Sequence, residues 1–387
     1  MGVRMAYDRI LILAVLTLVG FGLAMVFSAS FVVSKELYGS STAILLRQLL
    51  AVGIGILLML ILMTVNYRIY EKPVVLWTLL ALTVSLLALA LLAPGANGAR
   101  RWIDLGPMNF QPSEMAKLVA IMFTARFIVK RGGRVETVDR SMLPYAVVMG
   151  LIACLILLEP DLGTAASLAI TASLLFFLAG LRFRYYLGLL LLAIPAFYVL
   201  VYRVPYRRDR ILAFLDASAD PYGVGYQIRQ SLIAVGSGGW TGMGFAEGSQ
   251  KLFFLPELHT DFIYALVGQE LGFLGAIIPI CLFFVFFWRG VRIGLRADSQ
   301  FGMFLGLGIV GMIVTQAFLN MSVVLSLLPT KGLPLPFISA GGSSMLMMFS
   351  SVGILLNIGK QARWQTGTKK AHQKRHRAGR FEPIQIP

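Results

Sequence analysis

Apolar residues along this chain do not alternate singly; they come in long runs broken by short polar stretches. Runs lie near 10–27, 45–65, 74–93, 114–130, 143–158, 164–181, 186–202, 261–288, 301–328 and 338–358. Each is close to the ~20 residues that a helix needs to cross a bilayer. The pattern predicts an all-α polytopic membrane protein with about ten transmembrane helices. The fifth and sixth helices are short and meet at a tight turn. One long loop separates the seventh from the eighth. The first run follows Arg4 and Arg9 and ends in FSAS, which imitates a secretory signal. It is longer than a signal's usual apolar core and other spans follow, so it reads as a retained first helix.

Composition narrows the class. The 387 residues are 58% hydrophobic and 13% charged, which excludes an ordinary soluble domain. The net charge of +16 reads as topology rather than as a nucleic-acid surface. With a cytoplasmic N-terminus, about two-thirds of the Lys and Arg fall on the cytoplasmic side, and both termini lie there. Residues 1–359 form the membrane domain. Residues 360–387 form a basic tail, expected to be disordered and drawn to acidic lipid or a cytoplasmic partner rather than to nucleic acid. Cys154 and Cys281 each sit inside an apolar run, where neither a disulfide nor a metal site is expected.

This orientation puts the loops of unusual composition outside. They are PGANGARRWIDLGPMNFQPSE (94–114), EPDLGTA (159–165), the segment 203–260, and LPTKGLPLPFISAGGSS before the last span. Cytoplasmic loops are short and basic, as connectors are. Chemistry therefore belongs on the extracytoplasmic side. No GxxxxGK[ST] phosphate loop is present. An enzyme there needs an activated substrate delivered through the membrane, and a lipid-linked diphosphate has that property.

Asp261 is the leading candidate. It opens the eighth run beside a loop rich in Gly and aromatics, with Thr260 as the expected N-cap. Helix-end electrostatics accounts for many such acids at about 0.3–1 kcal/mol. A carboxylate at a membrane-embedded cleft can instead serve as a general base. Burial would raise its pKa, while the helix N-terminus and nearby cations would lower it. His259 is the only His outside the tail; loop His residues more often hydrogen-bond than bind metal. Glu114 and Lys117 stand at i and i+3 and can pair, either as scaffold or as a site wall. Arg100 and Arg101, and the cluster of Arg203, Arg207, Arg208 and Arg210, lie on the side that the charge rule disfavours. Guanidinium forks suit diphosphate oxygens, and also anionic headgroups. The Gly-rich AVGSGGWTGMGF has no flanking strand of the dinucleotide kind and reads as a close-packed or re-entrant turn. Lys331 is the only charge in the Pro- and Gly-rich turn before the last span.

Taken together, ARRWIDLGPMNFQPSEMAKL, EPDLGTA, YQIRQSLIAVGSGGWTGMGF, QKLFFLPELHTDFIYALVGQELGFLGA and LPTKGLPLPFISAGGSS resemble the SEDS family of FtsW, RodA and SpoVE, in family order and across all but the tail. The resemblance implies a peptidoglycan glycosyltransferase of the bacterial cytoplasmic (inner) membrane that polymerises lipid II and releases undecaprenyl diphosphate. It implies that Asp261 is catalytic and that Glu114, Lys117 and Lys331 match family motif positions. The expected substrate-binding set also includes Arg100, Arg101, Arg207, Arg208, Arg210 and His259. A divalent cation, Mg or Mn, can share the charge of the departing diphosphate, held mostly by substrate phosphates; no dedicated carboxylate cage is visible. Expected partners are lipid II and the growing glycan strand, a class B penicillin-binding protein, other division proteins and membrane lipids. LPTKG is closer to FtsW than to RodA, while GLPLP also occurs on the RodA side. Ala340 departs from the family's aromatic in ISYGGSS. Alternatives to septal synthesis are a RodA-type polymerase of elongation, a lipid II flippase, and a non-catalytic scaffold for a transpeptidase.

Overall fold

The computed structural model describes residues 7–93, 100–104, 106, 109–216, 223–248, 255 and 257–378. Helix dominates them. The only strands among the described residues are the antiparallel pair Ile103–Asp104 and Asn109–Phe110, part of the loop before the fourth span.

Helices α1 (Arg9–Tyr38), α2 (Ala43–Thr64), α3 (Pro73–Leu92), α4 (Pro112–Lys130), α5 (Leu143–Leu158), α6 (Leu162–Leu178) and α7 (Phe183–Phe197) correspond to the first seven apolar runs. A π turn, Tyr198–Tyr202, continues α7. The long loop adds α8 (Pro205–Leu215) and α9 (Val224–Ser237). Then come α10 (Ile263–Leu295), α11 (Gln300–Val324) and α12 (Gly342–Ala378). Pro at the start of α3, α4, α5 and α8 supplies a preset φ where no N–H is needed.

Among the described residues, eight helices are long and apolar enough to cross a membrane by themselves. The two other expected spans fall short for different reasons, one by length and one by charge. Helix α6 has 17 residues, and α4 carries Glu114, Lys117, Arg126 and Lys130. Helix α4 tolerates the first two because both side chains are enclosed by protein rather than lipid. At the other extreme α7 buries no residue, while α11 and α12 are mostly enclosed.

Helix α1 runs eleven residues past the expected end at Phe27. The FSAS stretch does not stop it, because its polar groups are satisfied in place. Ser30 Oγ donates to the Val26 carbonyl, and Ser28 Oγ donates to Glu270. Gly39, at φ 69°, terminates the helix instead. Helix α12 likewise passes the expected end at 358 and enters the basic tail as far as Ala378. Residues 379–387 lie outside the described residues.

Helix α10 is broken at Gly272 (φ 64°, ψ −163°). A break at membrane depth frees backbone groups that lipid cannot satisfy. The Gly-rich segment supplies the partners. Met243 and Gly244 donate to the carbonyls of Gln269 and Glu270, at 3.0 and 3.1 Å. Phe273 and Leu274 donate to the carbonyls of Gly239 and Trp240, at 2.9 and 3.2 Å. Glu270 adds a side-chain clasp, accepting from Ser28 Oγ at 2.6 Å and from the amides of Ala246 and Gly248. The first piece of α10, from Ile263 to Glu270, is buried at every residue.

This exchange leaves no space at the break. A Cβ on Gly272 would meet the main-chain nitrogen of Thr241 at 2.7 Å and that of Gly242 more closely still. Gly272→Ala is expected to lower stability by about 2–5 kcal/mol, combining a positive φ with backbone overlap. Gly20→Ala, with nothing within 4 Å of its added Cβ, is expected to be near neutral. Thermal unfolding of both variants in detergent checks the contrast, and equal effects would contradict it.

Candidate functional site

A cleft of about 1040 Å³ opens where the α1–α2 joint, the α5–α6 turn, α7, α8, the start of α10 and the 329–344 segment converge. Asp261, His259, Lys331, Arg101, Arg207 and Arg210 all line it. These side chains come from four separate stretches of sequence.

Asp261 lies in a turn ahead of the helix, not in the helix's first turn. The amides of Asp261 and Phe262 both donate to the Glu257 carbonyl, and Glu257 has a positive φ of 56°. Phe262 occupies the N-cap and α10 begins at Ile263. Thr260 is therefore not the cap; its hydroxyl turns back to Glu257, at 3.1 Å from the carbonyl and 3.0 Å from Oε2. Pro256, behind which the helix was expected to start, lies outside the described residues.

Two contacts hold Asp261. Asn320 Nδ2 donates to its carbonyl at 2.9 Å. Gly332 faces its carboxylate so closely that a Cβ there would lie 3.0 Å from Oδ2. Among the described residues, no hydrogen bond or ion pair reaches that carboxylate. Burial dominates its titration and pushes its pKa up to about 7. The carboxylates of Glu257 and Asp161 push the same way, and Arg210 and Arg101 oppose them. The competition that the sequence left open is thus won by desolvation.

The three arginines are pinned by main-chain carbonyls. Arg101 donates from Nε to the Glu159 carbonyl at 2.7 Å and from Nη2 to that of Pro160 at 2.6 Å. Arg207 Nη1 donates to the Leu200 carbonyl at 2.7 Å. Arg210 Nη1 donates to the Thr330 carbonyl at 3.2 Å, its guanidinium lies over the Tyr206 ring, and its buried Nε has no partner among the described residues. Carbonyls orient these cations without neutralising them, so their charge is available to an anion. Burial lowers the pKa of Arg210 and of Lys331; Asp161 opposes the shift at Lys331. His259 is also pushed down by burial, against Glu257, and its carbonyl accepts from Ala340 N at 2.9 Å. Among the described residues no group of three or more His, Cys, Asp or Glu could hold a metal alone.

Four expected site residues are not brought to this cleft. Arg100 is exposed and donates to the Leu91 carbonyl at 3.3 Å. Arg208 is 44% exposed and lies 3.7 Å from the still more open Asp209. Glu114 and Lys117 form a buried ion pair at 2.8 Å, with side chains 2% and 1% exposed. Lys117 Nζ also donates to Gln316 Oε1 at 2.6 Å and borders a separate cavity of about 10 Å³.

Residues 8–364 match the cell cycle protein family of FtsW, RodA and SpoVE. The chain belongs to the FtsW/RodA/SpoVE family. It is 44% identical over 357 residues to the probable peptidoglycan glycosyltransferase FtsW of Trichlorobacter lovleyi, covering 91% of this chain and 93% of that one. It is 39% identical over 362 residues to stage V sporulation protein E of Bacillus subtilis, covering 92% and 98%. Among solved structures, a chain described under structural coordination of polymerization and crosslinking by a peptidoglycan synthase complex superposes with a TM-score of 0.75 at 28% identity, over 92% of this chain and 98% of that one. RodA of Thermus thermophilus superposes with a TM-score of 0.67 at 26% identity, over 93% and 99%.

Two acids of this FtsW/RodA/SpoVE chain escaped the residue-by-residue reading, although EPDLGTA stood out as a loop. Asp161 lines the cleft and caps α6, accepting from Thr164 N at 2.9 Å, from Thr164 Oγ1 at 2.8 Å and from Gln111 Nε2 at 3.3 Å. Its Asp-x-x-Thr spacing was a legible N-cap signal. Glu159 is wholly buried, and neither carboxyl oxygen has a partner among the described residues. Burial, then Asp161, pushes its pKa up to about 8, with Arg101 opposing. Gln48 was also missed. It donates to the Ser339 carbonyl at 3.2 Å and accepts from Gly341 N at 3.1 Å, clamping the turn that contains Ala340. Its signal was a lone amide in an apolar helix.

Two stability effects follow. Lys117→Met leaves Glu114 buried without its partner and is expected to cost about 3–5 kcal/mol, while adding Glu114→Leu should recover most of the loss. Chemical unfolding of the single and double variants tests this; an equal loss in both would show that the pair contributes beyond mutual neutralisation. For Asp261 the unfolded chain ionises near its ordinary 3.8, while the folded chain holds its proton to about 7. Folding is therefore weakened as pH rises through that window, by on the order of 2–4 kcal/mol. Asp261→Asn should raise the melting temperature at pH 8 and leave it little changed at pH 4; no pH dependence of the difference would contradict the assignment.

Proposed function

We propose that this protein is a peptidoglycan glycosyltransferase that polymerises lipid II into glycan strands during septal synthesis, with Asp261 as its general base. One observation carries the reading. A carboxyl group with a pKa near neutrality sits in a large cleft with the half-buried cations Arg101, Arg207, Arg210 and Lys331, beside the acids Asp161 and Glu257. Kinship with proteins named peptidoglycan glycosyltransferase FtsW supports the reaction class.

The chemistry follows from that arrangement. A sugar hydroxyl of one lipid-linked molecule attacks the anomeric carbon of another. Asp261 takes the hydroxyl proton as the new C–O bond forms. The bond from the anomeric carbon to the lipid diphosphate breaks, and its electron pair leaves with the diphosphate. Arg101, Arg207, Arg210 and Lys331 stabilise the negative charge that develops there. The three arginines, held in place by carbonyls, need little reorganisation. A pKa near 7 leaves about half of Asp261 ionised at neutral pH and basic enough to accept a proton. A divalent cation enters the proposal as a companion of the substrate phosphates, because among the described residues no group of three or more His, Cys, Asp or Glu could hold one.

The site is assigned to the extracytoplasmic face of the bacterial inner membrane, on the distribution of Lys and Arg. A class B penicillin-binding protein is the proposed partner; a structural neighbour described as a complex coordinating polymerization and crosslinking supports it. The flippase reading would require polar groups leading from the cleft to the cytoplasmic side. The scaffold reading would require Asp261 to be dispensable.

Polymerisation by the purified protein with lipid II and its partner tests the proposal. Asp261→Asn should lower turnover by about 10²–10⁴-fold while lipid II still binds. The wild-type rate should rise with pH through an apparent pKa near 7, because only the ionised carboxylate accepts the proton. Translocation of lipid II in vesicles without polymer, or full activity of Asp261→Asn, would overturn the reading.

A further inference from the structure

Buried amides on one face of α11 link the ion pair in α4 to the candidate base. Gln316 and Asn320 are four residues apart, so they lie on one helical face, and both are essentially fully buried. Gln316 Oε1 accepts from Lys117 Nζ at 2.6 Å, and its Nε2 donates to the Pro334 carbonyl at 2.9 Å. Asn320 Nδ2 donates twice, to the Leu333 carbonyl at 2.7 Å and to the Asp261 carbonyl at 2.9 Å. Two successive carbonyls of the turn before the last span are thus held from beneath. Gly332 of that turn is the residue against which the Asp261 carboxylate rests.

The chemistry of these contacts is directional. An amide carries its acceptor and its donors on separate atoms, so it can accept from a lysine at one end and donate to a carbonyl at the other. Gln316 uses both ends in this way. Asn320 spends its donor on two carbonyls, and its Oδ1 is buried without a partner among the described residues. Leaving that oxygen unpaired costs stability, about 1–3 kcal/mol on general grounds. A fold seeking only stability would place an apolar residue there. What the arrangement provides is a fixed distance between the turn and Asp261.

We propose that Gln316 and Asn320 are positioning residues, which anchor the 331–334 turn to the Glu114–Lys117 pair and hold Asp261 against Gly332. The proposal rests on Asp261 being the general base, and it gives Glu114 and Lys117 a role at a distance. Lys117 fixes Gln316, Gln316 fixes the turn, and Asn320 ties Asp261 to the same turn.

Asn320→Ser tests it, because the short hydroxyl removes both amide donations with a small change in volume. Loss of the tether should let Asp261, which already lines the cleft, turn away from Gly332 and gain solvent. Its pKa should then fall from about 7 toward the ordinary carboxylate range. Groups that bear on this titration are Glu257, Asp161, Arg210 and Arg101, with His259 and Lys331 lining the same cleft. A readout independent of turnover is carbodiimide labelling of Asp261 against pH, followed by mass spectrometry of the full-length protein. The midpoint should drop by at least one pH unit in Asn320→Ser, and in the same direction in Gln316→Leu. In polymerisation, kcat should fall about ten- to hundredfold, with KM for lipid II within about twofold, as expected for loss of an oriented base. Ser322→Ala, a buried polar position on the same helix but off this face, is the control and should move neither readout. An unchanged labelling midpoint in folded Asn320→Ser, or in Gln316→Leu if the first variant does not fold, would overturn the proposal. Because labelling needs no substrate, that result stands apart from failure of the enzyme reading, which shows only as inactivity of the wild type.

Discussion

Backbone that leaves a helix inside a membrane must find its hydrogen bonds in protein, and this constraint governs the upper half of the molecule. Helix α10 breaks at Gly272, and the freed amides and carbonyls pair with residues 239–244 rather than with water. The glycines of that segment are needed because main chain meets main chain; at Gly242 an added Cβ would overlap the Leu271 nitrogen at 2.6 Å. Glu270 then joins the break to α1 and to the following loop. The short helical piece between Asp261 and the break is fixed at its far end by this exchange and at its near end by Asn320. Asp261 inherits its position from both.

Charge is handled by the same rule of internal satisfaction. Glu114 and Lys117 enter the membrane domain as a pair capped by Gln316, so neither ion faces lipid. The arginines of the cleft are treated differently. Main-chain carbonyls orient them, and no carboxylate among the described residues is bonded to Arg101, Arg207 or Arg210. Paired ions thus sit in the scaffold, and carbonyl-held ions sit where an anionic substrate is proposed to bind. Glu159 and Asp161 show the contrast within one turn, since Asp161 is fully engaged as a cap while the Glu159 carboxyl is buried without a partner among the described residues.

Hydropathy alone located ten apolar helices, eight of which, among the described residues, are long and apolar enough to cross a membrane. Charge placement and motif position singled out Asp261, Arg101, Arg207, Arg210, His259 and Lys331, which do share one cleft. Helix ends were less legible. Ser28 and Ser30 look like a terminus until their acceptors are known, and those acceptors include a residue more than two hundred positions away.

What the sequence by itself determined is the class of fold, the family, and the residue types from which the cleft is built. Each of these depends on local composition or on short motifs. Tertiary structure alone decided which charges enter the cleft, that Arg100, Arg208, Glu114 and Lys117 do not, and that desolvation outweighs nearby cations at Asp261. Those outcomes depend on how far groups distant in sequence approach one another and how much water they exclude, and no periodicity along the chain encodes either quantity.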